Sequence, residues 1–172
     1  HPAQQDRFLE AASRLVQALK EAGVNPKQFK GLVEQFASTL EGIAGDVRTQ
    51  VTQAIQSGNP EALEAASRRL EILVNAYEAF RAVLTDGARA QALDQAVLET
   101  AKAAGTEFET YFERQLRSIN QPEQADQVVE AVERVLSALS KVRQRLGEAA
   151  SELDGSMELI FTTAQEAVKN LA

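Results

Sequence analysis

Between Pro122 and Leu153 the apolar residues fall at Val128, Val132, Val135, Leu139, Val142, Leu146, Ala149 and Leu153. Steps of four and three alternate there without a miss. A mean step near 3.5 keeps one apolar stripe of an α-helix turned towards a neighbouring helix along its whole length. A half-buried strand would need strict alternation with a period of two, and the stretch shows none. It therefore predicts a long helix packed lengthwise against other helices.

The rest of the chain follows the same rule. A first helix is expected from about Gln4 to Ala22, with Phe8, Ala12, Leu15, Leu19 and Ala22 facing inward. Gly23-Val24-Asn25-Pro26 then stops one helix and starts another: Gly suits the C-terminal stop, Asn the N-cap, and Pro the first helical position, where no backbone donor is needed. The second helix runs from Pro26 to about Gln56. Phe29, Val33, Phe36, Leu40, Ile43, Val47, Val51 and Ala54 line one side of it, and Leu32, Ala37, Ala44 and Ile55 widen that side enough to meet more than one partner. Gly42 and Gly45 lie inside this helix, where each costs about 1 kcal/mol relative to Ala. They are read as points where a neighbouring backbone approaches closely, with a ligand notch or hinge as the functional alternative.

Ser57-Gly58-Asn59-Pro60 repeats the stop-and-start chemistry, and the third helix carries Leu63, Ala66, Leu70, Leu73, Tyr77, Phe80 and Leu84. Thr85-Asp86-Gly87 is read as a break with Asp86 capping a fourth helix. That helix runs from about Ala88 to Ser118 through Leu93, Val97, Ala101, Ala104, Phe108, Tyr111, Phe112 and Leu116. Ile119-Asn120-Gln121-Pro122 opens the fifth. Past Asp154-Gly155, Met157, Ile160, Phe161, Ala164, Val168 and Leu171 form either a sixth amphipathic helix or the tail of the fifth.

The segment 26–84 is matched by 88–153. At an offset of 61, Leu32, Phe36, Val47, Val51 and Ile55 meet Leu93, Val97, Phe108, Phe112 and Leu116; at 62, Pro60, Leu70, Leu73, Val74, Tyr77, Phe80 and Leu84 meet Pro122, Val132, Val135, Leu136, Leu139, Val142 and Leu146. Identities are few, so duplication and the general likeness of any two heptad hairpins explain the match equally well. Short turns make consecutive helices antiparallel. The expected fold is all-α: an elongated antiparallel bundle of five to six helices, with coiled-coil-like periodicity, in one domain spanning residues 1–172.

Composition narrows the function. A net charge of −7 is wrong for a nucleic-acid binder, which needs a cationic surface to displace phosphate counterions. Arg134, Lys141, Arg143 and Arg145 cluster, but Glu133 and Glu148 are interleaved with them, as on a solvated mixed-charge face. The same balance disfavours anionic lipid, though it leaves shallow apolar insertion open. No cysteine is present, which removes disulfides, thiolate metal sites and thiol chemistry. No run approaches the roughly 18 apolar residues of a spanning helix, and no signal peptide is visible. His1-Pro2 has the look of a trimmed start, leaving room for an upstream signal or anchor. The cytoplasm is the favoured compartment, or the periplasm or exterior if such a signal was removed.

Catalytic equipment is missing. The single His is the first residue, no Ser sits in a Gly-flanked elbow, and no Gly-rich loop follows a strand. A di-iron carboxylate site needs inward Glu residues and Glu-x-x-His pairs, whereas Glu107, Glu109, Glu113, Glu130 and Glu133 lie off the apolar stripes. The lysines all fall at polar phases. No enzyme activity, cofactor or metal is expected.

The reading that remains is a scaffold or adaptor that binds helices of a partner protein or of its own copies. Phe108, Tyr111 and Phe112, with Met157, Ile160 and Phe161, are the candidate interaction surface, and core packing is the plain alternative for each. A second reading is a ligand-binding sensor bundle from a larger extracytoplasmic receptor, for which only Gln50 and Thr100 offer polar groups near stripe positions. A third is an amphipathic coat on a lipid or other hydrophobic surface.

Overall fold

The first two turns of the chain do what their Gly, Asn and Pro residues dictate. In the computed structural model, which describes residues 2–115 and 121–170, α1 (Pro2–Glu21) is followed by Gly23 at φ +76°. Asn25 Oδ1 then accepts from the Lys27 N–H at 3.0 Å to open a single 3₁₀ turn, Pro26–Phe29. That turn feeds α2 (Lys30–Ser57), which ends on Gly58 in the left-handed region. Asn59 caps α3 (Pro60–Arg81) by accepting from the Glu61 N–H at 2.9 Å.

The break at Asp86-Gly87 is present: α4 (Gly87–Gln115) starts there, and Asp86 Oδ1 accepts the Arg89 N–H at 3.0 Å. This bond, made to the ionised carboxylate, holds Asp86 below the usual carboxylate range. The third helix stops three residues short of Leu84, and Val83 and Leu84 are buried in the connection. Leu116, Ser118, Ile119, Asn120 and Leu171, named above from the sequence, lie outside the described residues, as does His1.

The stripe that opened the sequence reading belongs to two helices. α5 (Pro122–Leu146) ends at Gly147, whose φ of +59° and ψ of −134° take the chain out of the helix. One 3₁₀ turn, Gly147–Ala150, leads into α6 (Glu152–Asn170). A sixth helix is present, and Asp154-Gly155 lies in its first turn, where a carboxylate suits the positive end of the helix dipole. The 3₁₀ turn shifts the phase by one, so Ala149 is exposed and Ala150 takes its place inside. Across the turn Arg143 Nε donates to Asp154 Oδ1 at 2.9 Å.

The first helix departs from expectation in phase. Leu9, Ala12 and Val16 are its buried face. Leu15 is exposed and Ala22 lies past the helix end, because α1 turns towards α3.

Each helix packs on its chain neighbours and on the helix after next, as in stacked helical repeats. α2 lies against α3 and α4, α3 against α1, α2 and α5, and α6 against α4 and α5. Alternate helices run parallel: Glu64 of α3 neighbours Arg134 of α5, and further along Asn75 meets Lys141. On the other side Lys102 of α4 reaches Glu152 of α6, and Gly105 touches Ser156. The bundle is thus two layers, α1-α3-α5 and α2-α4-α6, with the large side chains Tyr77, Phe80, Phe108 and Phe112 fully buried within it. At the offset of 62 the paired positions are buried in both helices: Leu70 and Val132, Leu73 and Val135, Tyr77 and Leu139, Phe80 and Val142.

Gly42 and Gly45 are not points of close approach. Both lie on the exposed side of α2, and a Cβ at either would meet nothing within 4 Å. The close approach is at Gly105, where a Cβ would stand 3.0 Å from Ser156 Cβ.

Candidate functional site

Three of the polar contacts that join the helices are made by buried side chains, Arg69, Tyr77 and Thr100. Arg69, 8% exposed, donates through Nε to Asp6 Oδ1 at 3.0 Å and through Nη2 to Gln5 Oε1 at 2.7 Å. Gln5 Nε2 in turn reaches Asp46 at 2.6 Å, which ties α1 to both α3 and α2. The Tyr77 hydroxyl donates to Asp94 Oδ1 at 2.6 Å, and Arg81 Nε donates to the same oxygen at 2.9 Å. Burial, reinforced by the Asp94 carboxylate, pushes the Tyr77 hydroxyl well above its ordinary pKa. Thr100 lies 3.0 Å from the Ala44 carbonyl and 2.9 Å from that of Ala96, so its hydroxyl serves the α2–α4 contact.

Among the described residues no group of three or more His, Asp or Glu is placed to hold a metal ion. Glu107 and Glu109 are half-buried, while Glu113, Glu130 and Glu133 are exposed.

The candidate interaction residues separate sharply. Phe108, Tyr111 and Phe112 lie in the core, with ring centroids 6.1 Å apart for Phe108 and Phe112 and 5.4 Å apart for Tyr111 and Phe112. Burial raises the Tyr111 hydroxyl pKa. Ile160 is fully buried and Met157 half-buried against the core. Phe161 alone of the six is exposed, with 56% of its surface open.

Phe161 stands in a groove of about 510 Å³ between α5 and α6. The two helices are antiparallel, so Leu136 lies near Phe161 and Val129 near Val168, with Val132 and Ala164 at the floor. Val168 is 47% exposed. Glu133, Gln165 and Lys169 complete the lining. Other surface hollows of about 440, 480 and 540 Å³ are rimmed by mixed polar and charged groups, such as Glu10, Arg14 and Glu71 between α1 and α3, or Arg48, Glu99 and Lys102 between α2 and α4. Of these four hollows among the described residues, the α5–α6 groove has the most apolar lining.

Sequence reasoning missed Val129, Leu136 and Val168 as surface residues. The signal was there: Val129, Val132 and Leu136 repeat the step of three and four one residue beside the buried stripe Val128, Val135 and Val142. Two adjacent stripes widen the apolar side of the helix: α5 packs on α3, α4 and α6, and Val129 and Leu136 of the second stripe stay only half-buried.

The sequence matches no protein-family model and no curated protein. Among solved structures, a cryo-EM structure of a de novo designed 16-helix transmembrane nanopore is similar over 98% of this chain, at 16% identity and a TM-score of 0.48. The chain spans 58% of the length of that one. No described helix here is long and apolar enough to cross a membrane.

Proposed function

We propose that the protein is a non-enzymatic adaptor that holds a helix of a partner protein in the groove between α5 and α6. The observation that carries this is the exposure of Phe161 and Val168 beside Val129 and Leu136. Helix-in-groove recognition uses an apolar floor about two turns long that accepts side chains at i, i+3, i+4 and i+7 of an incoming helix. Val129 to Leu136 and Phe161 to Val168 each span that length. The groove also occupies the position that one more helix would take if the stacking rule continued, on α5 and α6 as α6 itself lies on α4 and α5.

The test is site-specific photo-crosslinking in the source cell. A crosslinker at Gln165, on the groove wall, is expected to trap a defined protein partner, and one at Glu10, on the opposite edge of the stack, is not. The Phe161→Asp substitution should abolish the Gln165 adduct. Equal labelling from both positions, or an adduct indifferent to Phe161, would remove the support for the groove.

A further inference from the structure

The rim of the groove carries a charge pattern that its apolar floor does not explain. On α5, Glu133 lines the groove, and Glu130 and Asp126 continue the same exposed side towards the start of the helix. On α6, Glu158 precedes Phe161 by three residues on the same face and is exposed. Lys169 stands against these four carboxylates at one end. Arg134 offers Glu130 only a long contact of 3.9 Å and is turned towards Glu64 of α3. Asp126, Glu133 and Glu158 have no ion-pair partner among the described residues.

We infer that the occupant of this groove is a basic amphipathic helix of another protein: an apolar stripe about two to three turns long, flanked by Lys or Arg. The inference rests on the groove reading above and specifies its partner. A rim in which four carboxylates outnumber one lysine steers an oppositely charged partner and penalises a like-charged one. A second copy of this chain, at a net charge of −7, would set acidic rim against acidic rim around the same groove. An anionic bilayer would meet the same repulsion. If the incoming helix follows the stacking rule, it runs parallel to α5 and antiparallel to α6. Its basic flank then passes Asp126, Glu130 and Glu133.

Two fluorescent model peptides of about 18 residues test this, sharing one leucine stripe at i, i+3, i+4 and i+7 and differing only in Lys or Glu flanks; a third scrambles the stripe and keeps the lysines. Fluorescence anisotropy should show the Lys peptide binding roughly tenfold or more tighter than the Glu peptide, with affinity falling as salt rises. The scrambled peptide should bind far more weakly. Phe161→Asp is the decisive variant: it adds a negative charge, so mere attraction of a cation would grow, whereas docking in the groove is lost. The triple substitution Asp126→Lys, Glu130→Lys and Glu133→Lys should reverse the preference. All four positions are exposed, and circular dichroism verifies that the variants remain helical.

Equal binding of the Lys and Glu peptides, both lost in Phe161→Asp, would overturn the charge inference while leaving the groove standing. Binding that is unchanged or strengthened in Phe161→Asp would overturn both. A dimer seen by light scattering that Phe161→Asp dissolves would replace the foreign helix with a second copy. Pelleting with phosphatidylserine vesicles that depends on Phe161 would replace it with a lipid surface.

Discussion

Tyr77 is completely buried and gives its proton to a hydrogen bond with Asp94, an acceptor already held by Arg81. In the unfolded chain the same hydroxyl ionises near pH 10. The folded chain keeps that proton to higher pH, so the stability Tyr77 supplies is complete below about pH 10 and drains away as pH rises beyond it. Tyr111 acts in the same direction through burial. Tyr77→Phe should cost about 1 kcal/mol at neutral pH through the lost hydrogen bond. Its deficit relative to the parent should then shrink as pH rises from about 10 towards 12, when both are compared by urea denaturation. A constant deficit across that range would show that the phenol does not titrate differently in the two states. Glycines give the second residue-scale test. Since Gly42 and Gly45 face open space, Ala at either should raise stability by roughly 0.5–1 kcal/mol. At Gly105 the same change drives a methyl group against Ser156 and should lower stability by about 1–3 kcal/mol. Loss of stability in Gly42→Ala or Gly45→Ala would mean that another group occupies the space beside α2.

At the scale of elements, the ends of α1, α2 and α5 rest on glycines at positive φ: Gly23, Gly58 and Gly147. Gly58 sits in the left-handed helical region, which costs another residue roughly 1–2 kcal/mol. Gly147 combines φ +59° with ψ −134°, a region that side chains with a Cβ scarcely enter. This turn reverses the chain so that α6 can lie antiparallel on α5 and form the groove. Gly147→Ala should therefore destabilise more than Gly58→Ala, by up to about 3 kcal/mol. Urea midpoints of the two variants provide the comparison, and an equal or smaller loss at Gly147 would contradict the backbone argument. Heptad spacing could not reveal this boundary. The single 3₁₀ turn returns Leu153 to the apolar phase, so the stripe reads on as though the helix were unbroken.

Over the whole molecule, local chemistry and long-range packing divide the work. The helical class, the Asn-Pro starts after Gly and the buried stripes of α2 through α5 follow from residues close together in sequence, because capping and amphipathicity act within a few turns. Which apolar residues stay outside does not follow, since burial depends on which helix comes to lie where. Phe108, Phe112 and Phe161 look alike as aromatic residues on amphipathic helices. α4 is covered by α2 and α6, so its aromatic residues are interior, whereas no described helix lies on the outer face of α6 and Phe161 is exposed. In α1, Phe8, Ala12 and Leu19 pack inward as their spacing predicts, but Leu15 is exposed and Leu9 and Val16 are buried instead. Sequence alone determined that this chain makes helices and where most of them begin, because those are short-range properties of the backbone. Only the tertiary structure decided that alternate helices stack in parallel and that an apolar groove lies open between α5 and α6, because those depend on contacts between residues far apart along the chain.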